Sequence, residues 1–354
     1  IGGRLNYQRG NYEYQSNTER GELADFLGIV RTESRFLSAS PEGMSGGAYL
    51  SARWQLYENF TAETGLRWDF QDYAHDFERQ VSPRFSLLHE ISDTSQLRYS
   101  VGRFYQPEAI HELQISDGHT RFQSPQYADH LIASWDQALP SWHMQLRTEI
   151  FAKNFKQVKR RHENLFNPLL LLPETGVDRI AIAPSEARAR GFEISLRWQP
   201  DGNQNAWLSY TRSRVEDRID HTWQTRRWDQ AHTVSAGGFY RTGPWSASVA
   251  LNWHSGWRTT SLPGFLNSGQ TVDYQRNDTE LPNFYAVNIR LAREWLWPDQ
   301  SVEVYFEVSN VFDRQNSSAV EYDLKAEAGG FSTTRNNESL LEILPSIGVH
   351  WQFE

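Results

Sequence analysis

Cysteine is absent from all 354 residues, and methionine occurs only twice. The first absence excludes a disulfide framework, a Cys-based zinc site and a thiol nucleophile. It also fits a chain that crosses an oxidising compartment unfolded. Positive charge is scarce: 35 Lys and Arg stand against 44 Asp and Glu, a net charge of −9. A nucleic-acid binder would carry a basic patch or stripe. Long apolar runs are missing too. The longest, Leu169–Leu172, is far short of the roughly 20 residues of a spanning helix. No His-Glu-x-x-His, Gly-x-Ser-x-Gly or Gly-rich phosphate loop occurs, so no catalytic constellation stands out. No charged-then-apolar leader precedes Ile1-Gly2-Gly3-Arg4-Leu5-Asn6-Tyr7, which already reads as a strand, and the N-terminus is expected to be a cut.

What is present is aromatic and alternating. Aromatics make up 14% of the chain, with 14 Trp, which argues against disorder. Period-two alternation recurs in Phe60–Phe70, Phe192–Trp198, Trp245–His254, Val302–Asn310 and Ile347–Phe353. In Val302-Glu303-Val304-Tyr305-Phe306-Glu307-Val308 the carboxylates share one face and the aliphatics the other. About fourteen strands follow: 1–15, 44–56, 60–70, 81–90, 95–105, 128–138, 142–156, 187–199, 206–216, 229–241, 245–257, 281–295, 301–312 and 340–353. Many have the length needed to cross a bilayer at a tilt, roughly 9–11 residues.

The connections alternate long and short. The long ones fall near 16–43, 71–80, 106–127, 157–186, 217–228, 258–280 and 313–339. The short ones fall near 57–59, 91–94, 139–141, 200–205, 242–244 and 296–300. A soluble sandwich has no reason to sort its loops by end. An antiparallel transmembrane β-barrel does, with short periplasmic turns and long extracellular loops. This hides membrane character in a chain of mean hydropathy −0.67, because only alternate residues meet lipid. Aromatics gather at strand ends. Trp54, Tyr57, Trp198, Trp207, Tyr240, Trp245, Trp295 and Trp297 lie beside short turns. Trp68, Phe70, Phe104, Tyr105, Trp253 and Trp257 lie at the opposite ends. Two such bands are the girdles of the two interfaces.

Several segments resemble the barrel of TonB-dependent receptors. Ser82-Pro83-Arg84-Phe85-Ser86-Leu87-Leu88 leads to Leu97–Glu108, similar to a strand pair of that family. Glu186-Ala187-Arg188-Ala189-Arg190-Gly191-Phe192-Glu193 resembles its small-Arg-Gly-aromatic-Glu strand start. Trp228-Asp229-Gln230-Ala231-His232, Glu307–Asp313 and Pro345–Phe353 resemble three further strand boundaries. Glu354 departs from the family pattern, which ends on an aromatic residue. The resemblance implies that residues 1–354 are part of one barrel domain, with fourteen of about 22 strands and without the plug domain. It implies an outer-membrane protein of a Gram-negative bacterium that is not an enzyme. Such a receptor imports a scarce ligand, a ferric siderophore foremost, or cobalamin, haem or a glycan, with TonB energy coupled through the plug.

Two other functions stay open: a passive fourteen-stranded channel or fatty-acid transporter, and an outer-membrane hydrolase. Glu63, Arg67, Arg98, Arg147, Glu149, Glu193, Arg197, Arg290, Glu303 and Glu307 are expected to face the lumen, since charges in hydrocarbon are costly. The expected ligand site lies on surface loops: Trp223, Arg226, Arg227 and Trp228 in one, Trp257 and Arg258 in the next. Arg beside Trp suits an anionic, aromatic or sugar-like ligand, metal chelates included. The competing reading makes these girdle residues with snorkelling Arg neighbours. The spacing of His111, His119 and His130 is too loose for a metal site, and no resident metal or cofactor is expected. Expected partners are outer-membrane lipid and lipopolysaccharide (for whose phosphates Lys156, Lys159, Arg160 and Arg161 are candidates), the TonB complex, and a small-molecule ligand. No nucleic acid is expected.

Overall fold

A computed structural model describes residues 1–74 and 80–353. The middle of the connection 71–80 and the final Glu354 lie outside the described residues. Fourteen strands form one antiparallel meander: β1 Gly2–Arg9, β2 Glu42–Tyr57, β3 Phe60–Gln71, β4 Gln80–Ser92, β5 Ser95–Gln106, β6 Gln126–Leu139, β7 Met144–Lys156, β8 Glu186–Trp198, β9 Gln204–Ile219, β10 His232–Thr242, β11 Trp245–His254, β12 Phe284–Trp297, β13 Gln300–Ser309 and β14 Leu344–Phe353. Each is the sheet neighbour of the next, and among the described residues β1 and β14 are not paired with each other. The short connections are turns of two to five residues, such as Glu58-Asn59 and Gly243-Pro244. All long connections leave from the opposite end.

The first expected strand, 1–15, is two elements. β1 ends at Arg9, and Tyr12–Glu19 opens a separate hairpin with Thr32–Ala39. Alternation runs through both, so periodicity alone gives no break. Gly10 and Asn11 supply it, where the Gly10 N–H donates to the Pro41 carbonyl at 2.9 Å. The long connections are otherwise richer in strands than expected. Arg161–Asn164 pairs with Arg179–Ile182, and Thr222–Thr225 folds back on β9. Gly330–Ser339 pairs with both Phe265–Asn267 and Ser317–Glu327.

Register fixes the faces. Arg290 lies opposite Glu307, and Leu291 opposite Phe306. Arg290 contacts Glu303 at 2.5 Å and covers the Tyr305 ring at 4.2 Å. Val302, Val304, Phe306 and Val308 therefore take the other face. All ten charges expected in the lumen fall on this inward parity. Several pair there: Arg98 with Glu63, Arg67 with Asp69, and Arg147 with Glu149. At the turn end the inward face encloses a cavity of about 870 Å³, lined by Glu90, Asp136, Arg147, Ser195, Arg197 and Trp207 among others. The outward face is an apolar wall, with Leu131, Ile150, Val249, Leu291 and Phe306 exposed. Such a surface is stable only against lipid.

The aromatic bands split by parity. Trp54, Trp198, Tyr240, Trp245, Trp295 and Trp297 point outward, as a girdle requires. Trp207 points inward, its indole lying where a side chain on Gly237 would stand. Phe104 also points inward, 4.7 Å from His130. Trp257 belongs to neither band and packs into the loops.

Candidate ligand-binding surface

The long loops build a folded cap over the barrel mouth. Its core draws Leu23, Phe26 and Leu27 from the first long connection, Leu165 and Phe166 from 157–185, Leu266 and Leu281 from 255–283, and Val320 and Tyr322 from 310–343. Phe26 meets Phe331 edge-on at 5.6 Å, and Phe166 meets Tyr322 at 4.9 Å. Nine buried side chains of this size from four connections give the cap a hydrophobic core of its own. Their burial stabilises the cap at ~25 cal/mol per Å² of apolar surface removed from water.

Polar groups complete the cap. Arg20 is buried and donates to the carbonyls of Gly176, Val30 and Glu174. Asp217, fully buried on the inward face of β9, accepts from Arg161 at 2.6 Å and Arg226 at 2.8 Å. Glu163 accepts from Arg161 and Arg276. Burial works against the charge of Arg161, but Glu163 and Asp217 outweigh it, and its pKa is raised. For Arg276 burial prevails over Glu163, and its pKa is lowered.

The six expected ligand residues do not form one patch. Trp223 lies on the outer side of the β9 extension, under the Arg188 guanidinium at 3.9 Å. Arg226 turns inward to Asp217. Arg227 is 4% exposed and donates to the carbonyls of Asn164 and Phe166. Burial pushes its pKa down to about 10, against Asp178 and Glu163, which favour its charge. The loop holding them is thus well packed. Trp228 and Trp257 do meet, edge-on at 4.6 Å. Trp257 stacks on His254, which stacks on Phe284 at 4.7 Å. Trp228 stays half exposed, the Trp257 indole N–H is buried without a partner, and Arg258 pairs with Glu280 at 2.6 Å. His254 and Phe284 were missed from sequence. Both lie on the inward parity of β11 and β12, which was a usable signal. Asp217 and Glu163 gave none, since their partners come from other loops.

An antiparallel wall with a charged inner face, an apolar outer face and a folded cap at one end has the build of the wall of a transmembrane β-barrel. The chain belongs to the TonB dependent receptor-like, beta-barrel family, whose model matches residues 1–311. Barrels of this family lie in the Gram-negative outer membrane and are transporters, not enzymes. Among solved structures, the chain is similar to a mutant of the ferric enterobactin receptor PfeA from Pseudomonas aeruginosa, with a TM-score of 0.62 and 13% identity, covering 98% of this chain and 50% of that one. It is similar to the outer membrane transporter YddB from Escherichia coli, with a TM-score of 0.66 and 11% identity, covering 99% and 51%. It is also similar to the copper transporter OprC, with a TM-score of 0.57 and 15% identity, covering 98% and 52%. The chain thus spans about half the length of the structures it matches. No curated protein sequence matches it.

Proposed function

We propose that this chain, as part of a barrel domain spanning residues 1–354, forms wall and surface cap of an active importer. It would take a scarce small ligand, a ferric siderophore or similar metal chelate foremost, with cobalamin, haem and glycans as the other classes. The carrying observation is the folded cap over an inner wall lined with charge. A passive pore has no use for a cap with its own core. The edges of β1 and β14, unpaired among the described residues, also favour a larger barrel over a closed fourteen-stranded channel, because an open edge in lipid leaves backbone groups unsatisfied. A plug in the lumen would then couple the barrel to TonB.

Within the cap, Trp228, Trp257 and Arg258 would touch ligand, with the His254–Phe284 stack beneath them. Arg226, Arg227 and Trp223 would hold that surface in place. Trp228→Ala with Arg258→Ala should weaken ligand binding by about 2 kcal/mol, roughly 30-fold, if Trp228 is a hot spot. Assembly should be unchanged, because Trp228 is half exposed. Uptake of iron-55 from a panel of ferric siderophores by cells carrying the full receptor is the test. Unchanged uptake at limiting ligand would remove this surface from the site. Uptake insensitive to collapse of the proton-motive force would contradict active import.

A further inference from the structure

The geometry points to a binding surface for a phosphorylated lipid of the outer leaflet on the outer wall of β7, β8 and β9, just above the apolar band. The chain is acidic overall, yet six cations crowd this one outward patch: Lys156, Arg188, Arg190, Arg212, Arg214 and Arg218. Among the described residues, the carboxylates that form ion pairs with them are Glu186 and Glu216, and Asp129 and Asp229 lie within electrostatic reach of Lys156 and Arg214. Lys156 and Arg218 share Glu186. Arg188 and Arg214 share Glu216, at 2.7 and 3.0 Å. The side chains of Arg190 and Arg212 make no ion pair or hydrogen bond among the described residues, and both are exposed.

The register sharpens the case. Arg190 stands directly opposite Arg214 on the neighbouring strand. Like charges so placed destabilise a sheet. A wall that keeps them side by side, with Arg190 and Arg212 unpaired, is complete only with an anion between them. Arg presents a planar fork matched to phosphate oxygens.

The surface below the patch says what carries that anion. Arg212 lies opposite Phe192. Further down the same strands and the next, Ile194, Leu208 and Ile150 are exposed on the outward face. Phosphate above and aliphatic chains below describe one molecule, a phosphorylated amphiphile whose tails lie along the wall. Of the run Lys156, Lys159, Arg160 and Arg161 that the sequence offered as a candidate for such phosphates, only Lys156 belongs to these six. Arg161 is turned inward to Glu163 and Asp217, and Lys159 to Glu108.

This inference rests on the outer-membrane placement but not on import, since the patch lies outside the lumen and needs no TonB. The experiment is native mass spectrometry of the full receptor in mild detergent, titrated with bisphosphorylated lipid A. Lipid A should bind about stoichiometrically. Its dephosphorylated form should bind at least about tenfold more weakly, the loss of one good charge-assisted contact. Arg190→Gln, Arg212→Gln and Arg214→Gln together should show the same loss, with the heat-modifiable migration of a folded barrel retained. Equal binding of the two lipids by the wild type would overturn the proposal, whether or not the triple variant folds. Displacement of lipid A by millimolar inorganic phosphate would also overturn it, by making the patch a site for free anions.

Discussion

Arg227→Met is expected to open the cap while leaving the barrel intact. Arg227 joins three connections: its guanidinium serves the Asn164 and Phe166 carbonyls, and its own carbonyl accepts the Arg258 N–H at 3.0 Å. Methionine keeps much of the volume but offers no donor. The Asn164 carbonyl then loses its donor, at about 1–3 kcal/mol, while the Phe166 carbonyl keeps the Val320 N–H at 3.2 Å. Part of that is returned, because a buried cation with a depressed pKa is also removed. A net loss of about 1–3 kcal/mol is expected, confined to the cap. Limited proteolysis of whole cells should cut the variant within 157–185 at doses that spare the wild type. Wild-type resistance in Arg227→Met would show that the apolar core holds the loops alone. Heat-modifiable migration should not change.

Phe306→Arg is expected to act on the wall instead. Phe306 points outward between Val304 and Val308, opposite Leu291 on one side and Ile347 on the other. An Arg there must sit in hydrocarbon, at about 2–4 kcal/mol near the midplane and less if it lies nearer an interface. Glu307→Gln, one residue away, should be nearly neutral, because Glu307 faces the lumen opposite Arg290. Urea unfolding in phospholipid vesicles gives both values. Equal effects at the two positions would mean that the strand is out of register by one residue.

The contrast between these two sites mirrors what the sequence shows. The wall was legible because a strand repeats every two residues, and lipid enforces that repeat on each strand separately. Fourteen strands, their faces and the sorting of loops by length all follow from local pattern. Parity could also have separated Trp198 from Trp207, but proximity to a turn placed both in the girdle. The cap was not legible. Leu23, Phe166, Leu266 and Val320 lie on four connections, and no periodicity relates them. Arg226 and Arg227 stood out as an Arg pair between two Trp, a composition that suits a ligand surface equally well as a loop core. Only the positions of Asp217, nine residues from Arg226, and of Asn164 and Phe166, more than sixty residues from Arg227, show that both side chains are committed to the fold.

Orientation carries the whole account: cap and candidate site to the medium, short turns to the periplasm. These 354 residues hold no cysteine, so labelling above that of the unsubstituted receptor reports the introduced thiol alone. Gly202 lies in the β8–β9 turn with open space around it, and Ser268 is exposed in the cap. Gly202→Cys and Ser268→Cys, made separately in the full receptor, would be treated on intact cells with a membrane-impermeant maleimide. Ser268→Cys should label at once, and Gly202→Cys only after the outer membrane is permeabilised. Labelling of Gly202→Cys on intact cells with protection of Ser268→Cys would contradict the account.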